Sequence, residues 1–238
     1  MSGLIDFHSH VLPGIDDGSQ SIRESLDMLR MEAEQGIGTV IATPHFYPRH
    51  DAPDRFLSRR YEAYCRLREE TEKRTDLPRI LLGAEVYYFS GISNSDTITQ
   101  LTIAGKNCIL LEMPQPPWTD SMYREMEEIS RKYGITPVIA HVDRYISPWN
   151  THRIPERLAQ LPVLVQANGG FFLRPGTRRM ALRMLRENRI HLLGSDCHNL
   201  TSRKPNLGEA ERCIRDHLGE EALEEIRLYQ NDVLQNIL

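Results

Sequence analysis

Two short stretches pair histidine with a second donor at two-residue spacing. His8-Ser-His10 follows the apolar run Leu4-Ile-Asp-Phe7, and Asp196-Cys-His198 follows Ile190-His-Leu-Leu-Gly194 through Ser195. Residues two apart in extended chain share a face, so each pair can direct both donors at one point. His45, Glu85, Glu112 and His141 stand singly at or just past the end of an apolar run. Imidazole and carboxylate together suit borderline to hard divalent ions, among them Zn, Mn, Fe and Co. The lack of a cysteine ligand set argues against a closed structural zinc site. The pattern predicts an open catalytic cluster of divalent metals.

No member decides the matter by itself. A lone H-x-H is common, and a glutamate at a strand end is usually solvated. Asp196-Cys-His198 weighs more, because Gly194 ahead of it permits close approach. The ensemble is what counts: five of the nine histidines and three carboxylates occupy equivalent positions. His50, His152, His191 and His217 fall in loops or helix-like stretches and read as surface or structural residues. Arg144 and Arg203 lie in the exit loops after His141 and His198. There a planar guanidinium can grip a phosphoryl group with two hydrogen bonds and neutralise charge in the transition state. The chemistry indicated is phosphoester hydrolysis. Cys197 to Arg203 also spells C-x5-R, the pattern of cysteine-dependent tyrosine phosphatases, in which Cys197 would be the nucleophile. That chemistry needs a backbone N–H cradle, usually helped by glycine, and this interior has none.

These residues need a scaffold that brings strand ends to one face. Leu4 to Phe7 reads as a strand, followed by a Gly/Pro/Asp loop from Pro13 to Gly18. Ser21 and Glu24 form a capping-box pattern, and Ile22, Leu26, Leu29 and Ala33 repeat at helical spacing until Gly36. Thr39 to Thr43 is a β-branched strand ending at Pro44-His45. A charged helix from about Asp54 to Thr75 leads to a strand over Arg79–Ala84, which ends at Glu85. Asn107–Leu111 runs into Glu112, and a helix over Ser121–Lys132 precedes a strand over Thr136–Ala140 and His141. Pro162–Gln166 meets Asn168-Gly-Gly170, a helix covers about Arg178–Asn188, and Ile190–Gly194 is the last strand. Helices over Gly208–Leu218 and Glu220–Leu238 close the chain. About seven nearly continuous apolar strands, each followed by a helix, predict a parallel sheet closed, or nearly so, into an α/β barrel. In such a barrel the carboxyl ends of the strands share the face that mounts catalytic groups.

With 238 residues, 40% hydrophobic and 26% charged, the chain is expected to form a single domain over residues 1–238. A net charge of -4 gives no general attraction to nucleic acid or to an anionic membrane, so any phosphate affinity must be local. There is no membrane-spanning run, and Met1 to Phe7 lacks signal-peptide character. Cys65, Cys108, Cys197 and Cys213 show no CxxC pairing, so reduced thiols and a cytoplasmic setting are expected.

Asp6-Phe-His-Ser-His10 with Pro13-Gly-Ile-Asp-Asp-Gly18, Gly83-Ala-Glu-Val-Tyr-Tyr88, Thr136-Pro-Val-Ile-Ala-His-Val-Asp-Arg-Tyr145 and Ser195-Asp-Cys-His-Asn-Leu200 together resemble the polymerase and histidinol phosphatase (PHP) superfamily. The resemblance spans nearly the whole chain. It is strongest to the manganese-dependent bacterial tyrosine-protein phosphatases linked to capsule and exopolysaccharide synthesis. It implies a distorted (β/α)7-type barrel and three ions. His8, His10, Glu85 and Asp196 would hold the first, and Glu85 would bridge to a second completed by Glu112 and His141. Asp17, His45 and His198 would hold the third. Asp17 enters only through the resemblance, since Asp-Asp-Gly by itself reads as a turn. The two phosphate arginines would be Arg144 and Arg203. Asp143, where relatives often carry Glu, and Pro44-His45-Phe46 are departures that remove no ligand.

The implied reaction is attack by a metal-activated hydroxide on phosphotyrosine, with no phosphoenzyme. The implied partner is the tail of a bacterial tyrosine kinase of polysaccharide synthesis, and the implied assembly a homo-oligomer. The competing substrate class within the superfamily is a small phosphate ester, histidinol phosphate or a nucleotide.

Overall fold

The computed structural model describes residues 4–237. Met1, Ser2, Gly3 and Leu238, the last of which was expected to end the final helix, lie outside the described residues. The strands are β1 (Leu4–Ser9), β2 (Ile37–Ala42), β3 (His45–Phe46), β4 (Arg79–Leu82), β5 (Glu85–Tyr87), β6 (Cys108–Glu112), β7 (Thr136–Ile139), β8 (Leu164–Asn168) and β9 (Leu192–Gly194). The helices are α1 (Ile22–Glu34), α2 (Pro53–Thr71), α3 (Asp120–Tyr133), α4 (Ile154–Leu158), α5 (Gly169–Leu173), α6 (Pro175–Arg186), α7 (Leu207–Leu218) and α8 (Glu220–Ile237).

All paired strands run parallel, in the orders β1-β2-β4 and β3-β5-β6-β7-β8-β9. The two sheets are one broken cylinder. β2 and β3 are consecutive pieces of a single stave interrupted at Thr43-Pro44, and β4 and β5 are pieces of the next, interrupted at Gly83-Ala84. Gly83 N–H donates to Ala42 O (2.8 Å) and Glu85 N–H to Pro44 O (3.1 Å), carrying the ladder across both gaps. β9 returns to β1 through Asp196 N–H to His8 O (2.7 Å) and His10 N–H to Cys197 O (2.9 Å). Counted as staves, nine strands make seven, and the fold is the expected distorted (β/α)7-type barrel.

The helix pattern departs from expectation in two places. Between β5 and β6 the crossing is three short 3-10 turns instead of a helix. Its Ser93-Asn-Ser-Asp-Thr97 stretch explains why, because such side chains compete for backbone hydrogen bonds. The crossing from β7 to β8 holds a 3-10 turn at Val142–Arg144 and the five-residue α4, and the unforeseen α5 opens directly at Gly169. The anticipated cap of α1 is present with a shift: the Ser21 hydroxyl accepts from Glu24 N–H (3.2 Å), while the Glu24 carboxylate accepts from Gln20 N–H (2.8 Å) instead of Ser21.

Ile5, Phe7, Ile41, Leu81, Leu110, Val138 and Leu192 fill the barrel interior, and Leu234 of α8 joins that cluster. A larger layer packs the outer faces of the strands against the helices. Each fully buried Phe, Leu or Ile contributes about 1.5–3 kcal/mol. Between Asp6 and Ser9, β1 advances three residues while β2 advances two, from Val40 to Ala42. This extra residue re-aims the side chains that follow, so His8 and His10 meet above the interior packing instead of alternating away from it.

Behind the closure of β9 on β1 lies a second buried polar cluster. Asp6 accepts from His8 N–H (3.0 Å), Ser195 N–H (2.9 Å) and the Ser195 hydroxyl (2.5 Å). Glu32 of α1 lies beside it, with Oε1 3.7 Å from the Cys197 thiol. Asp6, Glu32 and Cys197 are fully buried. Burial, reinforced by the charge of Asp6, pushes the Glu32 carboxyl well above its ordinary range. The native state therefore keeps a proton that the unfolded chain releases. The resulting stabilisation is fullest below the ordinary carboxyl pKa and falls as pH rises towards the native one. Melting in chelator from about pH 5 to about pH 8 should lower the midpoint more steeply for wild type than for Glu32→Gln, which stays neutral throughout. Equal slopes would refute the buried proton.

Candidate metal centre

At the carboxyl ends of the staves, Glu85 is the hub. It is 1% exposed. Its Oε2 lies 3.2 Å from His8 Nε2, 3.3 Å from His10 Nε2 and 2.9 Å from His45 Nδ1, and its Oε1 lies 2.6 Å from His141 Nε2. Asp196 Oδ1 is 3.6 Å from both His8 Nε2 and His10 Nε2, which are themselves 3.1 Å apart. Glu112 approaches from β6, 3.9 Å from His45 Nδ1 and 3.8 Å from His141 Nε2. Asp17 Oδ1 lies 3.4 Å from both His45 Nε2 and His198 Nε2. All nine expected ligands thus converge. The grouping differs in detail from the expected one, since His45 faces Glu85 and Glu112 with one nitrogen and Asp17 with the other, and His10 also belongs to the Asp17–His45–His198 group.

The donor set fits divalent ions. His45 Nδ1, Glu85 Oε2, Glu112 Oε2, His141 Nδ1 and His198 Nε2 are buried and make no hydrogen bond. Unpartnered buried polar atoms are costly and rare. Donors about 2.1 Å from one ion stand roughly 3.0–3.4 Å from each other, close to the spacing of the His8, His10 and Glu85 atoms. The electrostatics agree. Burial opposes charge on Glu85, yet His8, His10, His141 and His45 outweigh it and hold the carboxyl well below its ordinary range. Burial likewise opposes charge on His10, but Asp16 and Glu85 push the imidazole up to about 10. His8 is raised against burial by Glu85 and Asp196. His198 is lowered to about 4 by burial and by the charge of His10. Asp196 is lowered, the imidazoles and Arg144 overcoming its burial. Strong negative potential thus draws positive charge to this face.

Local structure aims the ligands. His141 (φ 32°) and Asp196 (φ 52°) sit in the left-handed region at the ends of β7 and β9, a strained conformation that concentrates at functional sites. Gly194 is required by space, because a Cβ there would lie 2.6 Å from His8 Cβ and 2.6 Å from Gln166 Nε2.

Three orienting residues escaped the sequence reading. Asp16 Oδ2 bonds His10 Nδ1 (2.7 Å) and accepts from His45 N–H (3.0 Å), while its Oδ1 accepts from Gly18 N–H (2.9 Å). Despite burial, His10 lowers the Asp16 carboxyl to about 2. Gln166 Oε1 accepts from His141 N–H (2.6 Å) and lies 3.2 Å from His8 Nδ1. These contacts occupy the Nδ1 atoms of His10 and His8 and leave both Nε2 atoms for an ion. Asn168 donates from its side-chain amide to Asp196 Oδ2 (2.9 Å). A turn-forming Asp and two amides ending an apolar strand carry no spacing signal.

Arg144 and Arg203 both reach the cluster. Arg144 pairs with Asp196 Oδ2, and Arg203 Nη2 lies 2.6 Å from Asp196 Oδ1. Both side chains stay about one-third exposed, facing the open side. Tyr47, two residues past His45, stacks on it with ring centres 5.1 Å apart and meets Tyr87 at 5.7 Å. A 360 Å³ hollow beside Asp17 and His45 is lined by Tyr47, His50, Arg55 and Arg59, so His50 is nearer the centre than expected. His152, His191 and His217 lie outside it. The reading of Cys197 as a nucleophile fails: its thiol is fully buried. Burial and the charges of Glu32 and Asp6 push it well above the ordinary thiol range.

The chain is similar to the tyrosine-protein phosphatase CpsB of Streptococcus agalactiae serotype III (strain NEM316), 29% identical over 229 residues and covering 92% of each chain. It is also 29% identical over 231 residues to the tyrosine-protein phosphatase YwqE of Bacillus subtilis (strain 168), covering 92% of this chain and 86% of YwqE. Among solved structures, one from work on YwqE of Bacillus subtilis and CpsB of Streptococcus pneumoniae, described as unique metal-dependent tyrosine phosphatases, matches with a TM-score of 0.84 at 24% identity. It covers 99% of this chain and 96% of that one. The family model for capsular polysaccharide synthesis, CpsB/CapC, matches residues 4–235, and the chain belongs to that family.

Proposed function

We propose that this chain is a metal-dependent protein-tyrosine phosphatase holding three divalent ions, most simply manganese. The observation that carries this reading is the crowding of imidazole and carboxylate atoms on one face, among which His45 Nδ1, Glu85 Oε2, Glu112 Oε2 and His198 Nε2 are buried and make no hydrogen bond. The proposed ligands are His8, His10, Asp17, His45, Glu85, Glu112, His141, Asp196 and His198. When bound, the ions supply Lewis acidity, lowering the pKa of a water and neutralising phosphoryl oxygens. Asp16 and Gln166 fix the tautomers of His10 and His8. Arg144 and Arg203 turn from Asp196 to the phosphoryl oxygens and offset the charge that grows on them. Tyr47 and Tyr87 wall one side of the opening and suit the flat face of a phenyl ring. Phenolate is a good leaving group, so no dedicated acid is demanded. The proposed substrate is phosphotyrosine on a tyrosine kinase of capsular polysaccharide synthesis, in keeping with the names of the relatives. The whole chain serves as one catalytic unit in the cytoplasm, where its four free cysteines stay reduced.

The direct test is phosphate release from a phosphotyrosine peptide with and without added Mn. Wild type should turn over with metal, whereas chelation or His8→Ala should cost at least about 10²–10³-fold in kcat. Cys197→Ser should keep most of the activity. Activity that survives exhaustive chelation, or a phosphocysteine trapped at Cys197, refutes the metal mechanism. Faster turnover of histidinol phosphate than of phosphotyrosine refutes the substrate. A separate measurement isolates the orienting residues: Asp16→Asn and Gln166→Leu should each weaken Mn binding about 10–100-fold by titration. Unchanged affinity would show that the His10 and His8 tautomers need no such support.

A further inference from the structure

Away from the metal centre, a 760 Å³ groove runs along α6, between the Pro148-Trp149 turn and the end of α7. Arg179, Arg183 and Arg186 line it, and their spacing of four and three residues puts them on one face of the helix. Among the described residues, none of the three guanidinium groups makes a hydrogen bond or ion pair. Elsewhere Arg55 and Arg59 pair with Asp51, and Arg157 with Asp120. Among the described residues, no carboxylate lines the groove. In a chain of net charge -4, three arginines gathered without a partner form a local cationic stripe.

Trp149 stands at the mouth of the groove, 93% exposed. It is held on an ordered turn, with Ser147 N–H donating to Asn150 O (2.9 Å) and Asn150 N–H to Ser147 O (3.2 Å). A tryptophan so exposed, on a turn so fixed, has the makeup of an interface anchor.

We infer that this groove docks an acidic, extended segment of the phosphoprotein substrate, laid across Trp149 and along Arg179, Arg183 and Arg186, while the phosphotyrosine occupies the metal centre. The inference rests on the proposed function. Continuity with the catalytic face supports this occupant. Trp149 lies five residues past Arg144, and α6 follows directly on α5, the short helix that opens after Asn168, whose amide holds Asp196. The stripe from Arg179 to Arg186 is about 10 Å long, the reach of about three residues of extended chain, so two or three carboxylates can meet it. A lipid surface would call for a protruding face, and this one is concave.

The test compares Mn-loaded wild type with Arg179→Glu/Arg183→Glu and with Trp149→Ala. The substrates are p-nitrophenyl phosphate, a phosphotyrosine peptide with neutral flanks, and one with a run of glutamates. The expected result is a KM for the acidic peptide about tenfold lower than for the neutral one in wild type, an advantage lost in both variants. kcat and the p-nitrophenyl phosphate kinetics should not change, which also shows that the variants are folded. Equal KM for the two peptides in wild type, or a KM rise for every substrate in the variants, overturns the inference. So does a change in sedimentation mass with the charge reversal, which would assign the face to a second copy. Reversal-sensitive binding to phosphatidylserine/phosphatidylcholine vesicles, in place of peptide preference, would assign it to a membrane. If wild type dephosphorylates no tyrosine peptide, the proposed function fails, and the groove is then read by fluorescence titration of Trp149 with the unphosphorylated acidic peptide. Trp118 is buried, so the signal should vanish in Trp149→Phe. Absence of any such signal overturns the groove as well.

Discussion

A carboxylate in the position of Glu85 can stay ionised only if positive charge surrounds it. Taking a charge out of water costs several kcal/mol per ion even after relaxation, and Glu85 is buried with four imidazoles around its two oxygens. Those imidazoles, largely buried, compete with one another and with their neighbours, as the lowering of the nearby His198 by burial and by the charge of His10 shows. Protons can settle the conflict only by choosing some rings over others. Divalent ions settle it for all of them, since each ring then presents a lone pair to a cation and none has to carry charge. Under the proposed function, metal affinity and the integrity of this face of the barrel are the same free energy seen from two sides. The apolar packing below must hold the donors together whenever ions are absent.

The backbone prepares for this through departures from regularity. Regular stave positions supply Phe7, Ile41, Leu81 and Leu110 to the interior. Apart from Glu112, the last residue of β6, and Asp17 in the loop after β1, the converging donors come from the places where regularity ends. They lie on the bulged segment of β1, past the break at Pro44, past the break at Gly83-Ala84, and at the left-handed residues His141 and Asp196. Proline at 44 has no N–H to continue a ladder, so the stave must step there, and the step delivers His45 beside Glu85 in register. The strain at His141 and Asp196 is held by neighbours: Gln166 accepts the His141 amide, and His8 accepts that of Asp196.

Eight of the nine converging donors were legible because imidazole and carboxylate are conspicuous at strand ends, and six of the seven apolar runs led to such a residue; Asp17, in a turn-like Asp-Asp-Gly, entered only through the family resemblance. The barrel was legible for the same reason. Less visible were residues whose work is done through another side chain. Asp16 looks like half of a turn, and its bond to His10 depends on a loop folding back under β3. Gln166 ends an apolar strand in sequence and is recognisable only once β8 lies beside β7 and β9. The short strands β3 and β5 were not foreseen: the sequence reading ends one strand at Thr43 and the next at Ala84, and no hydrophobic pattern marks that the ladder resumes beyond each break. The crossing after β5 lacked a helix because its small polar residues favour turns, a local preference that no neighbouring apolar stripe overrides.

Two-residue alternation also accounts for the fate of Cys197. A geometry that turns Asp196 and His198 towards the ions turns the residue between them to the opposite side, where the thiol meets Glu32 and the hydrophobic layer. The C-x5-R match is thus a by-product of the D-x-H arrangement. The cluster around Cys197 has its own use, because Asp6 binds the amides of His8 and Ser195 and so fastens β1 to β9 at the seam where the barrel closes. Two acidic groups must then coexist within one small barrel, one on each side of the same pair of strands. They can do so because their charges are removed by different means. On the seam side, burial favours the protonated form of Glu32, which leaves Asp6 to accept from N–H and O–H groups. On the open side, solvent access and a dense set of imidazoles favour cations. The seam can therefore keep its geometry whatever occupies the centre in front of it, which is what allows the donors to be pre-arranged.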